Sequence, residues 1–324
     1  MINTKFKILV VRLSSLGDVL LTTPIVRLLK KKFSNAEISF LVKKEFADVY
    51  KFNPNISDII EFSKSNIEHI ASEISANKYD LIIDLQNNFY SRRITRSSNA
   101  EIKRFIKPTL QKLLLVHFKI DLLKNSKSIV ERYAEVANVQ LDDQGLDFFL
   151  PEDRNQPNNK NIGICPGAKH YTKRWLQEYF IQLGNELSSK GFSISIYGGT
   201  ADKEICKELE NNIAGARNYQ NENDLFATAS NMKFCSLIIT NDSGLMHLAS
   251  ALKIPIVAIF GSTIKSFGFT PFGVKNIIVE NNSLNCRPCS HIGRNNCPKK
   301  HFKCMKDITP QLVLGHLQNF MKSL

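Results

Sequence analysis

The feature that most constrains the fold of this chain is a rhythm that runs, stops and starts again. In the first half, short apolar runs at 7–12, 37–42, 56–62 and 81–85 alternate with helical patterns at 19–33 and 66–76. Strands separated by helices of that length cannot pair as hairpins, so the pattern predicts βαβ units and a mostly parallel sheet. Residues 110–118 and 129–136 read as helices that close this half. The segment 151–160, PEDRNQPNNK, holds two prolines and no large apolar side chain, and reads as a linker. After it the rhythm restarts: strands at 161–165, 192–197, 237–240 and 256–260, helices at 176–190, 201–211 and 244–252. A last helix is predicted from Thr309 as cap with Pro310 in its first position. With 324 residues there is chain enough for two cores. The expected architecture is α/β: two doubly wound domains at 1–150 and 161–308, facing each other across a cleft, with a closing helix at 309–324.

Composition narrows the class. Hydrophobic residues at 43% and charged residues at 23% are those of a globular protein. The first apolar run, Ile8 to Val11, is interrupted by Arg12 and is too short for a signal-peptide core. No run approaches the roughly 18 apolar residues of a membrane-spanning helix, so a cytoplasmic location is expected. The net charge of +13 attracts polyanions, whether nucleic acid, anionic lipid or a phosphorylated substrate. Lysines cluster at Lys30–Lys32, Lys43–Lys44 and Lys299–Lys300, but there is no Arg-rich arm and no basic–aromatic interleaving, so nucleic acid is not expected as a partner. Of seven cysteines, Cys165, Cys206 and Cys235 are scattered and read as core filler.

In doubly wound sheets ligands bind at the carboxyl ends of strands, so the strand-to-helix loops hold the candidate chemistry. The first, Leu13-Ser14-Ser15-Leu16-Gly17-Asp18, carries one glycine where a dinucleotide fingerprint would need three, which removes a nicotinamide dehydrogenase from contention. Ser14, Ser15 and Gly17 offer hydroxyls and backbone N–H groups to an anion; Asp18 reads either as a helix cap or as a carboxylate facing the inter-domain space. The second loop crowds Lys169, His170, Lys173 and Arg174, with Thr172 among them, before a helix start, as a phosphate site or a solvated basic loop. Trp175 reads as a core anchor. Gly198-Gly199 at the next strand end permits close backbone approach or a tight turn. The fourth loop, Thr240-Asn241-Asp242-Ser243-Gly244-Leu245-Met246-His247, opens a helix straight after a buried strand. Its N–H groups can hold a diphosphate, Asp242 can accept from sugar hydroxyls, and His247 reads equally as structural or as site-directed.

Together, R-L-S-S-L-G-D-V-L-L-T-T-P, G-A-x4-K-R-W, the Gly-Gly pair and T-N-D-S-G-L-M-H-L-A-S-A-L-x-I-P-x-V-A-I-F-G-S-T resemble glycosyltransferase family 9, the ADP-heptose:lipopolysaccharide heptosyltransferases. The resemblance runs from about residue 7 to the C-terminus. It implies a GT-B fold of two Rossmann-like domains, with the acceptor on the first and the nucleotide-sugar donor on the second, and transfer with inversion. It assigns Asp18 as general base, Lys173 to the donor phosphates, Asp242 to the donor sugar, and Ser243, Gly244 and Leu245 to the diphosphate. No D-x-D motif occurs, so Lys173 with the Ser243–Gly244 backbone is expected to stand in for a divalent ion, with no cofactor. The expected partners are ADP-heptose and an anionic glycolipid of the inner leaflet, met by peripheral contact with the inner membrane.

Cys286-x2-Cys289-x7-Cys297-x6-Cys304, with His291 and His301 interleaved, has the look of a zinc site but lacks a second C-x2-C pair. Packed thiols or a redox-labile pair fit as well. A basic nucleic-acid-binding protein with a zinc module is the rival of another class; it leaves Asp18 and the N-D-S-G loop without purpose. Arg92, Arg93 and Arg96 read as acceptor-phosphate contacts or as a solvated helix face.

Overall fold

The computed structural model describes residues 5–151 and 158–324. Five strands, β1 (Lys7–Val11), β2 (Glu37–Lys43), β3 (Asp58–Phe62), β4 (Leu81–Asp84) and β5 (Glu101–Arg104), form one sheet in the order β3-β2-β1-β4-β5. Six more, β6 (Asn158–Cys165), β7 (Ser193–Ile196), β8 (Arg217–Asn218), β9 (Cys235–Asn241), β10 (Ile256–Phe260) and β11 (Asn276–Glu280), form a second in the order β11-β10-β9-β6-β7-β8. Every pairing is parallel. Parallel strands need covered faces, and the inner strands read accordingly as apolar runs: β10, IVAIF, is buried at all five positions. In each sheet the order reverses beside the first strand, between β1 and β4 and between β6 and β9. These are topological switch points, where adjacent strand-end loops diverge and leave room for a ligand.

Helices supply the cover. In the first unit, Ile70 and Ile74 of Ile67–Ala76 and Ile94 of Phe89–Thr95 pack on Leu9, Val11, Leu41, Ile60 and Ile82. In the second, Trp175, Phe180, Leu183 and Leu187 on one side of the sequence and Val313, Leu317 and Phe320 of the last helix on the other join Ile162, Ile164, Ile194, Ile239 and Val257. Thr309 caps that helix, its hydroxyl accepting from the Leu312 N–H at 3.2 Å, with Pro310 at the first position as the sequence predicts.

Several expectations change. The single helix predicted at 19–33 is two, Leu16–Leu20 and Thr23–Lys32. Pro24 has no N–H to give to a continuing ladder, and the hydroxyls of Thr22 and Thr23 take the carbonyls of Val19 and Leu20 instead. Strands β5, β8 and β11 and the helix Leu225–Met232 are additions to the sequence pattern, and Phe89–Thr95 is the helix whose exposed face Arg92 and Arg93 occupy; β5 (EIKR) and β8 (RN) are short polar edge strands without a hydrophobic period. Of the expected linker, residues 152–157 lie outside the described residues, and β6 already begins at Asn158.

Packing divides the chain into two compact units that interleave along the sequence. One is Met1–Lys107 with Lys127–Pro151; the other is Pro108–Ser126 with Glu152–Leu324. The return segment is fixed to the first unit by Arg27, whose guanidinium meets Asp142 at 2.7 Å and also pairs with Asp147. Leu115 and Leu123 fix 108–126 to the second unit by packing on Phe267.

Candidate active site

In the first unit the loop after β1 is built around Arg12, a buried cation at the end of an apolar strand. A buried guanidinium must be paired and hydrogen-bonded. Its Nε donates to the Ser14 carbonyl at 2.9 Å, one Nη to the Leu85 carbonyl at 2.8 Å, and the other Nη meets Asp18 Oδ1 at 2.5 Å. Burial alone would lower the Arg12 pKa, but Tyr133 and Asp18 reverse that and raise it. The Tyr133 ring lies under the guanidinium at 5.8 Å. Asp18 Oδ2 accepts from the N–H of Ser15 at 3.2 Å and from its hydroxyl at 2.9 Å. The carboxylate therefore does close the helix start, as a cap does, and it also sits in an ion pair. Since each carboxylate oxygen accepts two bonds, Oδ1 keeps one lone-pair direction open to a further donor. Gly17 is buried below it, its carbonyl accepting from Leu21, and the N–H groups of Leu13 and Ser14 are held by Gln86 Oε1.

Gln86 follows Asp84, the last residue of β4, and the two loops meet at this switch point. Asp84 is fully buried and accepts from the N–H of Asn87 at 2.7 Å and the hydroxyl of Ser91 at 2.9 Å. Lys107 and Arg92 lie nearby; burial, and then Arg12, lower the Lys107 pKa. Arg92 donates to Asn87, Arg93 pairs with exposed Glu68, and Arg96 is exposed, so these three do not converge.

In the second unit the switch point gathers the loops after β6, β9 and β10. Lys173 Nζ meets Asp242 Oδ2 at 2.7 Å, and the Thr263 hydroxyl donates to the same oxygen at 2.7 Å. The Lys173 and Asp242 side chains are only 16% and 9% exposed, so the pair is well shielded from water. Two buried residues hold the loops in place. Asn241 donates to the Pro166 carbonyl at 2.7 Å and accepts from the Trp175 N–H at 3.0 Å. Thr172 takes the Ser262 hydroxyl at 2.9 Å and the Arg294 N–H at 2.8 Å on its own hydroxyl. Trp175 is 1% exposed and is the core anchor expected.

The helix Gly244–Ala251 starts here. Ser243 is extended and its side chain makes no capping hydrogen bond, so the first-turn N–H groups of Gly244, Leu245 and Met246 have no side-chain cap. Their combined dipole makes a seat for an anion beside the Lys173 ammonium. His247 is buried one turn in, at 4% exposure. Gly198 answers to packing: a Cβ there would lie 2.6 Å from Cys206 Sγ and 2.8 Å from Asp202 Cβ. Burial, followed by Lys173 and Lys169, lowers the His170 pKa and favours neutral imidazole.

The cysteines divide as expected in part. Cys165, Cys206 and Cys235 are buried. Burial pushes the Cys206 thiol to about 12 and the Cys235 thiol to about 11. Cys286 Sγ is 3.8 Å from His301 Nε2, yet among the described residues no three His, Cys, Asp or Glu side chains converge as a metal-holding group.

Sequence reading passed over Arg12 and Thr263. The signal for Arg12 was a charge abutting a fully apolar strand, KILVVR; Thr263 had none, since only folding brings it to Asp242.

Two parallel, doubly wound units, each with its strand-end loops gathered at a switch point, make the GT-B architecture. The glycosyltransferase family 9 (heptosyltransferase) description matches residues 67–300. The lipooligosaccharide heptosyltransferase 2 of Campylobacter jejuni is 30% identical, over 95% of this chain and 96% of that protein. Among solved structures, a family 9 glycosyl transferase from Veillonella parvula has a TM-score of 0.80 at 21% identity, covering 98% of both chains. E. coli ADP-heptose lps heptosyltransferase II has a TM-score of 0.75 at 21% identity, covering 98% of this chain and 99% of that one. The chain belongs to glycosyltransferase family 9, the heptosyltransferases.

Proposed function

We propose that this enzyme transfers heptose from ADP-heptose to a lipopolysaccharide inner-core acceptor, with inversion, using Asp18 as general base and Lys173 as the cation for the leaving diphosphate. The acceptor hydroxyl attacks the anomeric carbon as the bond to the diphosphate oxygen breaks. Its proton passes to Asp18, and the nucleoside diphosphate leaves with the electron pair of the broken bond. Arg12 and Ser15 hold the carboxylate in one orientation, so that Oδ1 presents an open lone pair rather than a rotating group. Ser14, Ser15 and Gly17 line the acceptor side.

The observation that carries the reading is the Lys173–Asp242 pair, 2.7 Å long, beside the uncapped start of Gly244–Ala251. A diphosphate seated on the N–H groups of Ser243, Gly244 and Leu245 offers Lys173 more charge than Asp242 does. Asp242 is then released to accept from sugar hydroxyls, and charge developing on the leaving group meets fixed dipoles and a cation. Thr172, Gly198 and His247 border this donor site. The names of the Campylobacter and E. coli relatives favour heptose and ADP. No helix of the described residues is long and apolar enough to cross a membrane. We place the enzyme in the cytoplasm, in peripheral contact with the inner membrane that carries its glycolipid acceptor.

Thermal stabilisation by ADP, UDP, GDP, CMP and NAD at matched concentrations tests the donor, since a ligand of the native state raises the midpoint by mass action. ADP alone is expected to stabilise. Preference for UDP or GDP would change the sugar donor, and a response to NAD alone would sink the transferase assignment. Transfer is expected to persist in chelator; activity that vanished and returned only with magnesium would remove Lys173 from its role.

A further inference from the structure

In residues 108–126 five large apolar side chains are exposed, Leu110, Leu113, Phe118, Ile120 and Leu122, against two that are buried, Leu115 and Leu123. The helix Thr109–Phe118 turns Leu115 inward, onto Leu123 and Phe267. Leu110 and Leu113, three apart and so on one stripe, are 66% and 47% exposed. Phe118 at the helix end, and Ile120 and Leu122 in the segment after it, are likewise about half exposed or more. Single exposed leucines are ordinary, but soluble surfaces rarely leave such a run contiguous and uncovered.

Charge indicates what covers it. From Phe105 to Ile120 the sequence has no acidic residue and carries Lys107, Lys112 and Lys119. Beside the helix end lies the cysteine-bearing loop, which shares a pocket of about 420 Å³ with Val116, His117 and Lys119 and adds Arg294 and Lys299. Lys119 holds that loop in place, donating to the Pro288 carbonyl at 2.7 Å. The loop has no Asp or Glu between Asn281 and Lys306. Asp121, the first acid after the helix, is engaged by the Ser266 hydroxyl at 2.8 Å. A second copy of the chain would set these lysines against their own images, at a cost.

We propose that this apolar stripe and its basic collar form the surface by which the enzyme docks on an anionic lipid bilayer. The leucines and Phe118 enter the boundary between headgroups and acyl chains, and Lys112, Arg294 and Lys299 meet lipid phosphates, while Lys119 keeps the cysteine-bearing loop in place beside them. The proposal rests on the reading that the acceptor is a membrane-borne glycolipid, and it names the part of the chain that meets that membrane.

The test is co-sedimentation of the full chain with vesicles containing phosphatidylglycerol or phosphatidylcholine alone, without acceptor. Binding is expected only to the anionic vesicles and to weaken with salt. Leu110→Ser/Leu113→Ser, and separately Phe118→Ser/Leu122→Ser, should each lower partitioning by at least about tenfold while keeping the thermal midpoint. Both variants should keep the parent rate on a water-soluble, delipidated core oligosaccharide. Hydrogen exchange of the unmodified chain gives a readout free of folding artefacts: anionic vesicles should slow exchange across residues 109–123. Vesicle binding untouched by both variants, or no protection of this segment, overturns the proposal. So does a concentration-dependent dimer that the same substitutions abolish while vesicles go unbound. Vesicle binding as expected, with no transfer to the soluble oligosaccharide by the parent enzyme, would keep the docking surface and strike the heptosyl-transfer reading instead.

Discussion

At the scale of single residues, the site depends on charges that are paired in ways their side-chain types alone do not disclose. Asp18 is both the residue that accepts from the Ser15 backbone and the ion-pair partner of Arg12 at 2.5 Å. A cap that were only a cap would be replaced by asparagine at small cost, because the amide oxygen accepts the same N–H. A general base would not. Asp18→Asn should lower kcat by roughly a hundred- to ten-thousandfold, while stabilisation by ADP stays as in the parent. Near-parental kcat would leave Asp18 as a cap and the partner of Arg12, without a part in proton transfer. His170 provides a pH readout of the donor site. Burial, then Lys173 and Lys169, depress its pKa, so neutral imidazole is the folded form and its contribution to stability is lost as pH falls through the depressed value. A diphosphate bound beside it would favour the charged form. ADP affinity, measured by calorimetry, should therefore rise as pH drops from about 7.5 towards about 6, and more steeply in the parent than in His170→Gln. Parallel pH slopes in the two proteins would place His170 away from the phosphates.

At the scale of elements, the strand-end loops are held by buried polar side chains that reach between them. Asn241 joins the end of β9 to the loop after β6 through Pro166 and Trp175, and has no exposed surface. Removing one member of such a pairing strands its partners without water, at about 1–3 kcal/mol. Asn241→Ala should lower urea-measured stability by about that amount and weaken ADP binding, because Lys173 and Asp242 sit on the two loops it joins. Unchanged ADP affinity in a destabilised variant would show that the loops keep their places without it. The break at Thr22–Pro24 belongs to this scale too. The helical period of 19–33 was legible, yet the interruption came from proline and two hydroxyls competing for the same carbonyls.

Over the whole molecule, the two packing units do not follow the two halves of the sequence. Residues 108–126 precede the return segment of the first unit but pack with the second, through Leu115, Leu123 and Phe267. This small cluster is the apolar anchor of the segment, beside the Lys119 bond to the Pro288 carbonyl and the Ser266 bond to Asp121. Phe267→Ala removes its largest member, at about 3–5 kcal/mol for a core aromatic, more than so small a cluster can be expected to withstand. Trypsin should then cut at Lys119 and Lys124 several times faster than in the parent, with the remaining sites unchanged. Uniformly faster cleavage would mean that the cluster supports the second unit as a whole.

The sequence by itself determined what depends on local period and local chemistry. Strands β1, β2, β4, β6, β9 and β10 were readable because fully buried parallel strands are continuous apolar runs. The loops after β1, β6 and β9 were readable as sites because polar and glycine residues stand directly at the ends of those runs. The loops that carry Asp18, Lys173 and Asp242 could be found in this way; the family resemblance picked out those three residues within them, and neither gave their partners. That Arg12 closes on Asp18, that Lys173 from one loop meets Asp242 from another, that Thr263 shares the same oxygen, and that 108–126 crosses to the second unit were all decided by tertiary structure. The reason is physical: a buried charge takes whichever partner the chain crossings bring within about 3 Å, and those crossings leave no trace in periodicity.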